Sequence, residues 1–319
     1  MDYAIQWPPN VAQEIPGLPE ELIAQVQDYV PPTLVVLDST YNKDILIKYS
    51  HGAVKTFDRF PFTDIERVAM SPAGTLFAVA GVTGSVSRTY RFFNVSTVRV
   101  VDIASQKCLM NVEMVANITH LAFSTCSTMV ACAMVDEMDD CDVVCVYNVA
   151  TGMRIAQIDG FERCYGLQFS PNGAHVAINT FTSIQVWHVQ QQVLLYDIPR
   201  LDYRVLSFAY SPDGQYLATC DYSVSLVHVL DARTGQVLCC LQAPNRARPE
   251  RVLFAPDNRR LTAVYHDGSI YVFDLVAGTC VLQPYRAGAT YCGLAFDDVG
   301  RRLAVGTYDT VAVTMWEVI

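Results

Sequence analysis

Six turn-forming segments recur along the chain at a nearly constant interval, and that interval restricts the fold more than any other property. They are Val68-Ala-Met-Ser71-Pro-Ala-Gly74, Leu121-Ala-Phe-Ser124-Thr-Cys-Ser127 and Leu167-Gln-Phe-Ser170-Pro-Asn-Gly173, then Phe208-Ala-Tyr-Ser211-Pro-Asp-Gly214, Val252-Leu-Phe-Ala255-Pro-Asp-Asn258 and Leu294-Ala-Phe-Asp297-Asp-Val-Gly300. Each is an apolar alternation that ends at a small or acidic residue, turns, and resumes. Proline presets φ at the first corner of such a turn, and Asp, Asn or Gly accepts the left-handed corner that follows, so each segment reads as a β-hairpin. The anchors at 71, 124, 170, 211, 255 and 297 are separated by 53, 46, 41, 44 and 42 residues. A period of about 45 with four short strands per repeat is that of a β-propeller blade.

The remaining strands are legible as apolar runs at Val98–Asp102, Val143–Asn148, Ile184–His188, Ser225–Leu230, Ile270–Asp274 and Val313–Glu317. Polar turns follow five of them, three with glycine: Thr151-Gly152, Thr234-Gly235 and Ala277-Gly278. From about residue 33 to 319 the chain resembles the WD-repeat family of propellers. Asp267-Gly-Ser-Ile-Tyr-Val-Phe-Asp274 is the nearest match, with Phe273-Asp274 in the place of the family's Trp-Asp. Trp187-His188 and Trp316-Glu317 keep the Trp without the Asp, and no Gly-His dipeptide opens any repeat. Asp221, Asp267 and Asp309 stand where the family has its structural Asp, but the family's Asp-His-Ser-Trp network is not assembled. The resemblance implies an all-β propeller that serves as a non-enzymatic protein-interaction scaffold.

Gly52 precedes Ser71 by 19 residues, as Gly152 precedes Ser170 by 18 and Gly278 precedes Asp297 by 19. All three are read as turns between blades, which makes Thr33–Asp38 and Ile45–Tyr49 the last strands of an incomplete blade. Six full blades and a partial one predict seven four-stranded blades. Residues 1–49 then finish the last blade, with Tyr3–Trp7 the other strand-like piece available. Residues 1–32 are expected to be an extension with one short helix, and residues 33–319 a single propeller domain. The helix is expected from apolar residues at Leu18, Leu22, Ile23, Val26, Tyr29 and Val30, closed by two prolines. Residues 16–32 also resemble the opening of an F-box, which would make the chain a substrate receptor of a ubiquitin ligase. Against this stands a helix that caps the incomplete blade.

Composition narrows the function. The chain of 319 residues carries 22 Lys+Arg against 32 Asp+Glu, a formal charge of −10. Backbone binding to nucleic acid rests on clustered cations, so nucleic acid is not expected as the main partner. No apolar run of about 18 residues suggests a membrane span, and Met1–Asn10 lacks the basic start and apolar run of a signal peptide. A cytoplasmic or nuclear location is expected. Eleven cysteines without a Cys-x-x-Cys pair are expected to be buried, reduced thiols, with no metal site and no disulfide. The six histidines, His51, His120, His175, His188, His228 and His266, are expected in different repeats. No nucleophile elbow, phosphate-cradling loop or zinc-protease helix occurs, so neither catalysis nor a cofactor is expected.

Departures from the repeat point to binding, because insertions map to loops. The longest, Gly81–Ser96, is read as a loop between the third and fourth strands of the first full blade. Within it Arg88, Tyr90, Arg91 and Phe92 mix guanidinium and aromatic groups, the residue types that anchor interfaces; the competing reading folds Phe92 and Phe93 back into the core. Five carboxylates in seven residues, Asp136, Glu137, Asp139, Asp140 and Asp142, read as a solvated acidic loop, since the mid-loop glycine of a Ca²⁺ loop is missing. Arg246, Arg248 and Arg251 are read between the first two strands of the fifth blade. With strands counted in this way, all three insertions leave one face of the propeller. Tyr285-Arg286-Ala-Gly288 is similar to the Phe-Arg-Arg-Gly of phosphoinositide-binding propellers but lacks one arginine, a remote alternative. Other proteins, within a multi-subunit complex, are the expected partners.

Overall fold

The computed structural model describes residues 33–38, 43–48, 54–57, 60–88, 91–136, 141–161, 163–199, 205–221, 225–243, 246–280, 285–286, 291–296, 302–307 and 312–317. They form strands in seven antiparallel sheets, in each of which the order of strands follows the chain. The first holds β1 (Thr33–Asp38), β2 (Lys43–Lys48) and β3 (Val54–Phe57). The second holds β4 (Asp64–Met70), β5 (Leu76–Arg88), β6 (Arg91–Asp102) and β7 (Cys108–Met114). The third holds β8 (Asn117–Phe123), β9 (Met129–Asp136), β10 (Cys141–Asn148) and β11 (Arg154–Phe161). The fourth holds β12 (Cys164–Phe169), β13 (His175–Thr180), β14 (Ser183–His188) and β15 (Val193–Pro199). The fifth holds β16 (Val205–Tyr210), β17 (Tyr216–Asp221), β18 (Leu226–Asp231) and β19 (Val237–Gln242). In the sixth, β20 (Pro249–Phe254), β21 (Arg260–Tyr265) and β22 (Ser269–Asp274) are followed by β23 (Thr279–Cys280) and β24 (Tyr285–Arg286), both paired to β22. The seventh holds β25 (Tyr291–Phe296), β26 (Arg302–Thr307) and β27 (Ala312–Glu317). Meanders repeated at this period are the blades of a β-propeller. The expected helix, residues 16–32 and the Tyr3–Trp7 strand lie outside the described residues.

Two compact units divide the chain. In the unit that holds the second to fourth sheets, the middle sheet is covered on both faces. Alternate residues of one strand face opposite sides, and β9 uses both. Val130 and Cys132 pack with Ala78, Ala80, Val98 and Val100 of the second sheet. Ala131 and Ala133 pack with Cys164, Phe169, Val176 and Ile178 of the fourth. Burial on both faces explains why the inner strands read as near-continuous apolar runs rather than clean alternations. In the other unit, Ala218, Cys220, Val227 and Val229 of the fifth sheet meet Val252, Phe254, Leu261 and Tyr265 of the sixth.

The anchors found in the sequence close the turn between first and second strands. The Oγ atoms of Ser71, Ser124, Ser170 and Ser211 each accept the backbone N–H five residues on, at 2.9, 3.0, 3.0 and 2.9 Å. All four serines are buried, so only a small side chain fits and its hydroxyl must be bonded. Ala255 occupies the same position, and there Asp257 accepts from the amides of Arg259 and Arg260 instead.

The turns that follow the third strands are tight Asx turns. Oδ1 of Asp102, Asn148, Asp231 and Asp274 accepts backbone N–H groups two or three residues on. In the fourth sheet His188 Nδ1 takes that part, accepting from Gln191 N at 3.3 Å. This corrects the expected strand phase. The turns at Gly152 and Gly278 join third and fourth strands of one sheet, as that at Gly235 does, not successive blades, and Gly52 likewise falls between β2 and β3. Spacing fixes the interval between turns, but a short polar connection looks the same within a sheet as between sheets.

Two smaller expectations also change. His175 and His188 share the fourth sheet as directly paired residues, with rings 5.5 Å apart. Burial, with His188 alongside, lowers the His175 pKa. Ten of the eleven cysteines are described as free thiols, of which only Cys132, Cys145, Cys164 and Cys220 are buried; the Cys292 side chain lies outside the described residues. Cys108, Cys239, Cys240 and Cys280 lie on outermost strands, where an apolar run does not imply burial, Cys126 lies in a turn, and Cys141 opens β10.

Candidate functional site

Each four-stranded meander has two ends with different chemistry. The first-to-second and third-to-fourth turns leave one end and are short and uniform. The second-to-third connections and the links between sheets leave the other end.

That second end carries every elaboration seen in the sequence, although the elements differ from expectation. Gly81–Ser96 is not a loop between third and fourth strands. It is the outward continuation of β5 and β6, the second and third strands of their sheet, and the ladder runs past one bulge at Thr83 to Arg88↔Arg91. Strand alternation continues past the usual length, which is why β5 has 13 residues while β13, β17 and β21 have 6. Phe93 is buried. Tyr90 and the side chains of Arg88, Arg91 and Phe92 lie outside the described residues. At the hairpin's base, Gly81 lies directly under Phe62: an added Cβ would meet the Phe62 ring and the Asp64 carbonyl oxygen at 2.6 Å.

The acidic run splits. Asp136 ends β9, residues 137–140 lie outside the described ones, and Asp142 is 2% exposed on β10. Its Oδ2 accepts the Cys164 amide of the next sheet at 2.7 Å, and burial raises its pKa. Asp142 is therefore a structural link between sheets and not part of a solvated loop. Glu66 does the same one sheet earlier, accepting Ile118 N at 3.2 Å with its pKa also raised by burial. Asn94 and Asn117 bridge the same two sheets at 2.8 Å.

Arg246 and Arg248 lie on the link between fifth and sixth sheets, and Arg251 lies on β20; the placement between two strands of one blade is corrected accordingly. All three are exposed. Beside them Glu250 Oε1 meets His266 Nδ1 at 2.8 Å, and the His266 amide donates to Arg248 O at 2.9 Å. Tyr285-Arg286 forms the outer fragment β24. Among the described residues no group of three His, Cys, Asp or Glu is placed to hold a metal ion, and no helix is long and apolar enough to cross a membrane.

Two features at this end escape a first reading. Each of six first strands carries a β-bulge five residues before its turn anchor, at Glu66, Thr119, Tyr165, Leu206, Glu250 and Cys292. In the fourth sheet the bulged Tyr165 and the connection residue Phe181 are 39% and 43% exposed, with rings 6.4 Å apart. Counting back from the anchors would have aligned these positions; the reading of turn residues alone passes over them.

At the opposite end Asp274 accepts from Val276 N and Ala277 N and is ion-paired with Arg259 at 2.6 Å. Those bonds, the Arg259 guanidinium first, lower its pKa from 3.8 to about 2. A carboxyl with a depressed folded pKa contributes stability that is complete above its unfolded pKa and fades as pH falls through the folded one. Wild type is thus expected to lose stability between about pH 4 and 2 faster than Asp274→Asn, which keeps an Oδ1 acceptor but not the charge. Melting temperatures that fall in parallel for both proteins across this window would contradict that assignment.

The fold and these ends define a β-propeller. The family model described as WD domain, G-beta repeat matches residues 200–226, which span β16, β17 and the start of β18. Among solved structures, a chain in the crystal structure of the mitotic checkpoint complex is similar over 90% of this chain and 87% of its own, with 15% identity and a TM-score of 0.67. The β-propeller domain of Cps50 (Swd1) from Myceliophteria thermophila is similar over 80% of this chain and 82% of its own, at 17% identity and a TM-score of 0.60. No curated protein matches the chain by sequence.

Proposed function

We propose that the chain is a non-enzymatic protein-interaction scaffold of the cytoplasm or nucleus, which joins a multi-subunit complex. Residues 33–319 form its one propeller domain and residues 1–32 an extension. One observation carries the reading. The long β5–β6 hairpin, the 137–140 connection and the arginine-bearing link to β20 all leave the same end of their own sheets. The turns of the other end are held to one pattern by buried serines and Asx caps. Residues freed from the demands of the fold are where binding surfaces arise. Arg88, Tyr90, Arg91 and Phe92 then serve as anchors, and Arg246, Arg248 and Arg251 draw in an acidic partner. A similar propeller within the mitotic checkpoint complex supports a role in assemblies.

Affinity capture on the full-length chain, followed by mass spectrometry, supplies the partner for the test. Arg248→Ala is expected to slow association, with the gap closing as salt rises, as for a charge at an interface rim. Asp213→Asn, in the Ser-Pro-Asp-Gly turn of the opposite end, is the control and keeps the acceptor for Ser211 Oγ and Gln215 N. Loss of binding in the control, with normal association by Arg248→Ala, would place the contact on the wrong end and remove the proposal.

A further inference from the structure

We propose that Arg163, Tyr165 and Phe181 form a docking site for an acidic segment of a partner protein that also carries an apolar side chain. The inference rests on the scaffold reading and names the chemistry of what one sheet end receives.

No other repeat carries Phe, Tyr or Trp at both of the positions held by Tyr165 and Phe181. Tyr165 occupies the bulge of β12, where the other first strands place Glu66, Thr119, Leu206, Glu250 and Cys292. Phe181 opens the connection between β13 and β14, where the sixth sheet places His266. The two sheets repeat at a fixed offset, so Tyr165 with Phe181 and Glu250 with His266 are the same pair of positions. In the sixth sheet that pair is polar and bonded at 2.8 Å. In the fourth it is two aromatic rings 6.4 Å apart, tilted by 42° and open to solvent. The fold is satisfied by a hydrogen-bonded pair at this register, so exposed rings there call for another explanation.

The rings stand on backbone that is already fixed. Thr180 Oγ1 accepts Ser183 N at 3.1 Å and donates to Ser183 O at 3.0 Å, closing the connection that carries Phe181. Asp142 Oδ2 holds Cys164 N at 2.7 Å, and the Cys164 side chain is buried between Arg163 and Tyr165. Little ordering remains to oppose binding, which favours affinity.

Charge selects the partner. Arg163 is exposed seven residues before its turn anchor. Arg204 and Arg248 stand at the same distance from Ser211 and Ala255, so three successive repeats carry arginine at one register. Arg248 is exposed as well. In a chain with 10 excess negative charges, cations thus recur at this one register. Guanidinium groups bind carboxylates through paired, charge-assisted hydrogen bonds. A ring pair beside one of them adds an apolar contact, while a basic segment would meet repulsion. Arg163 already lies close enough to favour the Asp142 charge, but that carboxylate is buried and its Oδ2 is engaged with Cys164 N, so the exposed guanidinium keeps donors for a partner.

A random peptide library displayed on phage, panned on the full-length protein, tests the site. Peptides retained by wild type but lost by the double variant Tyr165→Ser, Phe181→Ser are expected to carry Asp or Glu next to Phe, Leu or Trp. A synthetic peptide of that sequence should bind wild type at least about tenfold more tightly than the double variant. Its Glu→Gln version should bind wild type and Arg163→Gln equally. Both side chains are partly exposed, so the variants should keep the wild-type melting temperature; Tyr165→Phe should bind as wild type does. Recovery of basic peptides, equal recovery by both proteins, or no recovery would overturn the proposal. None of these outcomes touches the Arg248 and Asp213 comparison, so the scaffold reading can stand if the site falls.

Discussion

Truncation of Phe77 to alanine is expected to lower stability by about 3–5 kcal/mol, the usual cost of removing a fully buried ring. Phe77 has no exposed surface and lies on β5, paired with Met70 and Val101. Its ring meets Phe57 at 4.8 Å and Phe60 at 6.2 Å, both edge-to-face. Edge-to-face pairs are worth about 0.5–1.5 kcal/mol beyond the area they bury, so alanine loses packing from several sides at once. Phe77→Leu keeps most of the volume and is expected to lose clearly less. Urea unfolding of the three proteins provides the measurement. Equal midpoints for alanine and leucine would mean that the aromatic cluster does not hold this sheet.

Loss of the Tyr90 and Arg91 side chains together is expected to weaken partner binding by about 2–4 kcal/mol without unfolding the protein, as for truncation of interface anchors. The hairpin explains why folding should survive. Its strands pair from Leu76↔Asp102 to Arg88↔Arg91 with one bulge at Thr83, and burial ends near Phe93. Substitutions at the tip, beyond the last buried position of the described ladder, are therefore expected to leave the fold intact. Surface plasmon resonance with the captured partner reads the affinity, and circular dichroism reads the fold. An unchanged affinity would clear the hairpin tip of any part in the interface.

Much of the architecture was legible because it depends on turns. The Ser-Pro-Asp-Gly chemistry at Ser211 can be satisfied only where a chain reverses, and six such signals at one interval leave few folds. Strand phase was not legible, since the Asx turn at Asn148 would serve equally well between two sheets. Nor was the fate of Gly81–Ser96, where alternation simply continues and an extended hairpin resembles an insertion. Burial misled at Cys239 and Cys240, whose apolar neighbours lie on an outermost strand. At the site, Arg248 was found through its charge. Tyr165 and Phe181 were passed over because exposed rings and core rings look alike until their register against Glu250 and His266 is known.

Sequential strand order has a consequence for how the chain is made. Apart from β24, which pairs with β22, every described strand pairs with a neighbour in sequence, so the entropy of closing the connections is small for an all-β protein. A sheet can form as soon as its strands leave the ribosome, without waiting for distant segments. It cannot rest there, because the Ala131 and Ala133 side of β9 is packed against residues of the fourth sheet. Until synthesis has advanced by one more repeat, each new blade shows an apolar face to solvent. The chain should therefore be most prone to capture by chaperones at intervals of one repeat, as each fresh face waits for the sheet that covers it.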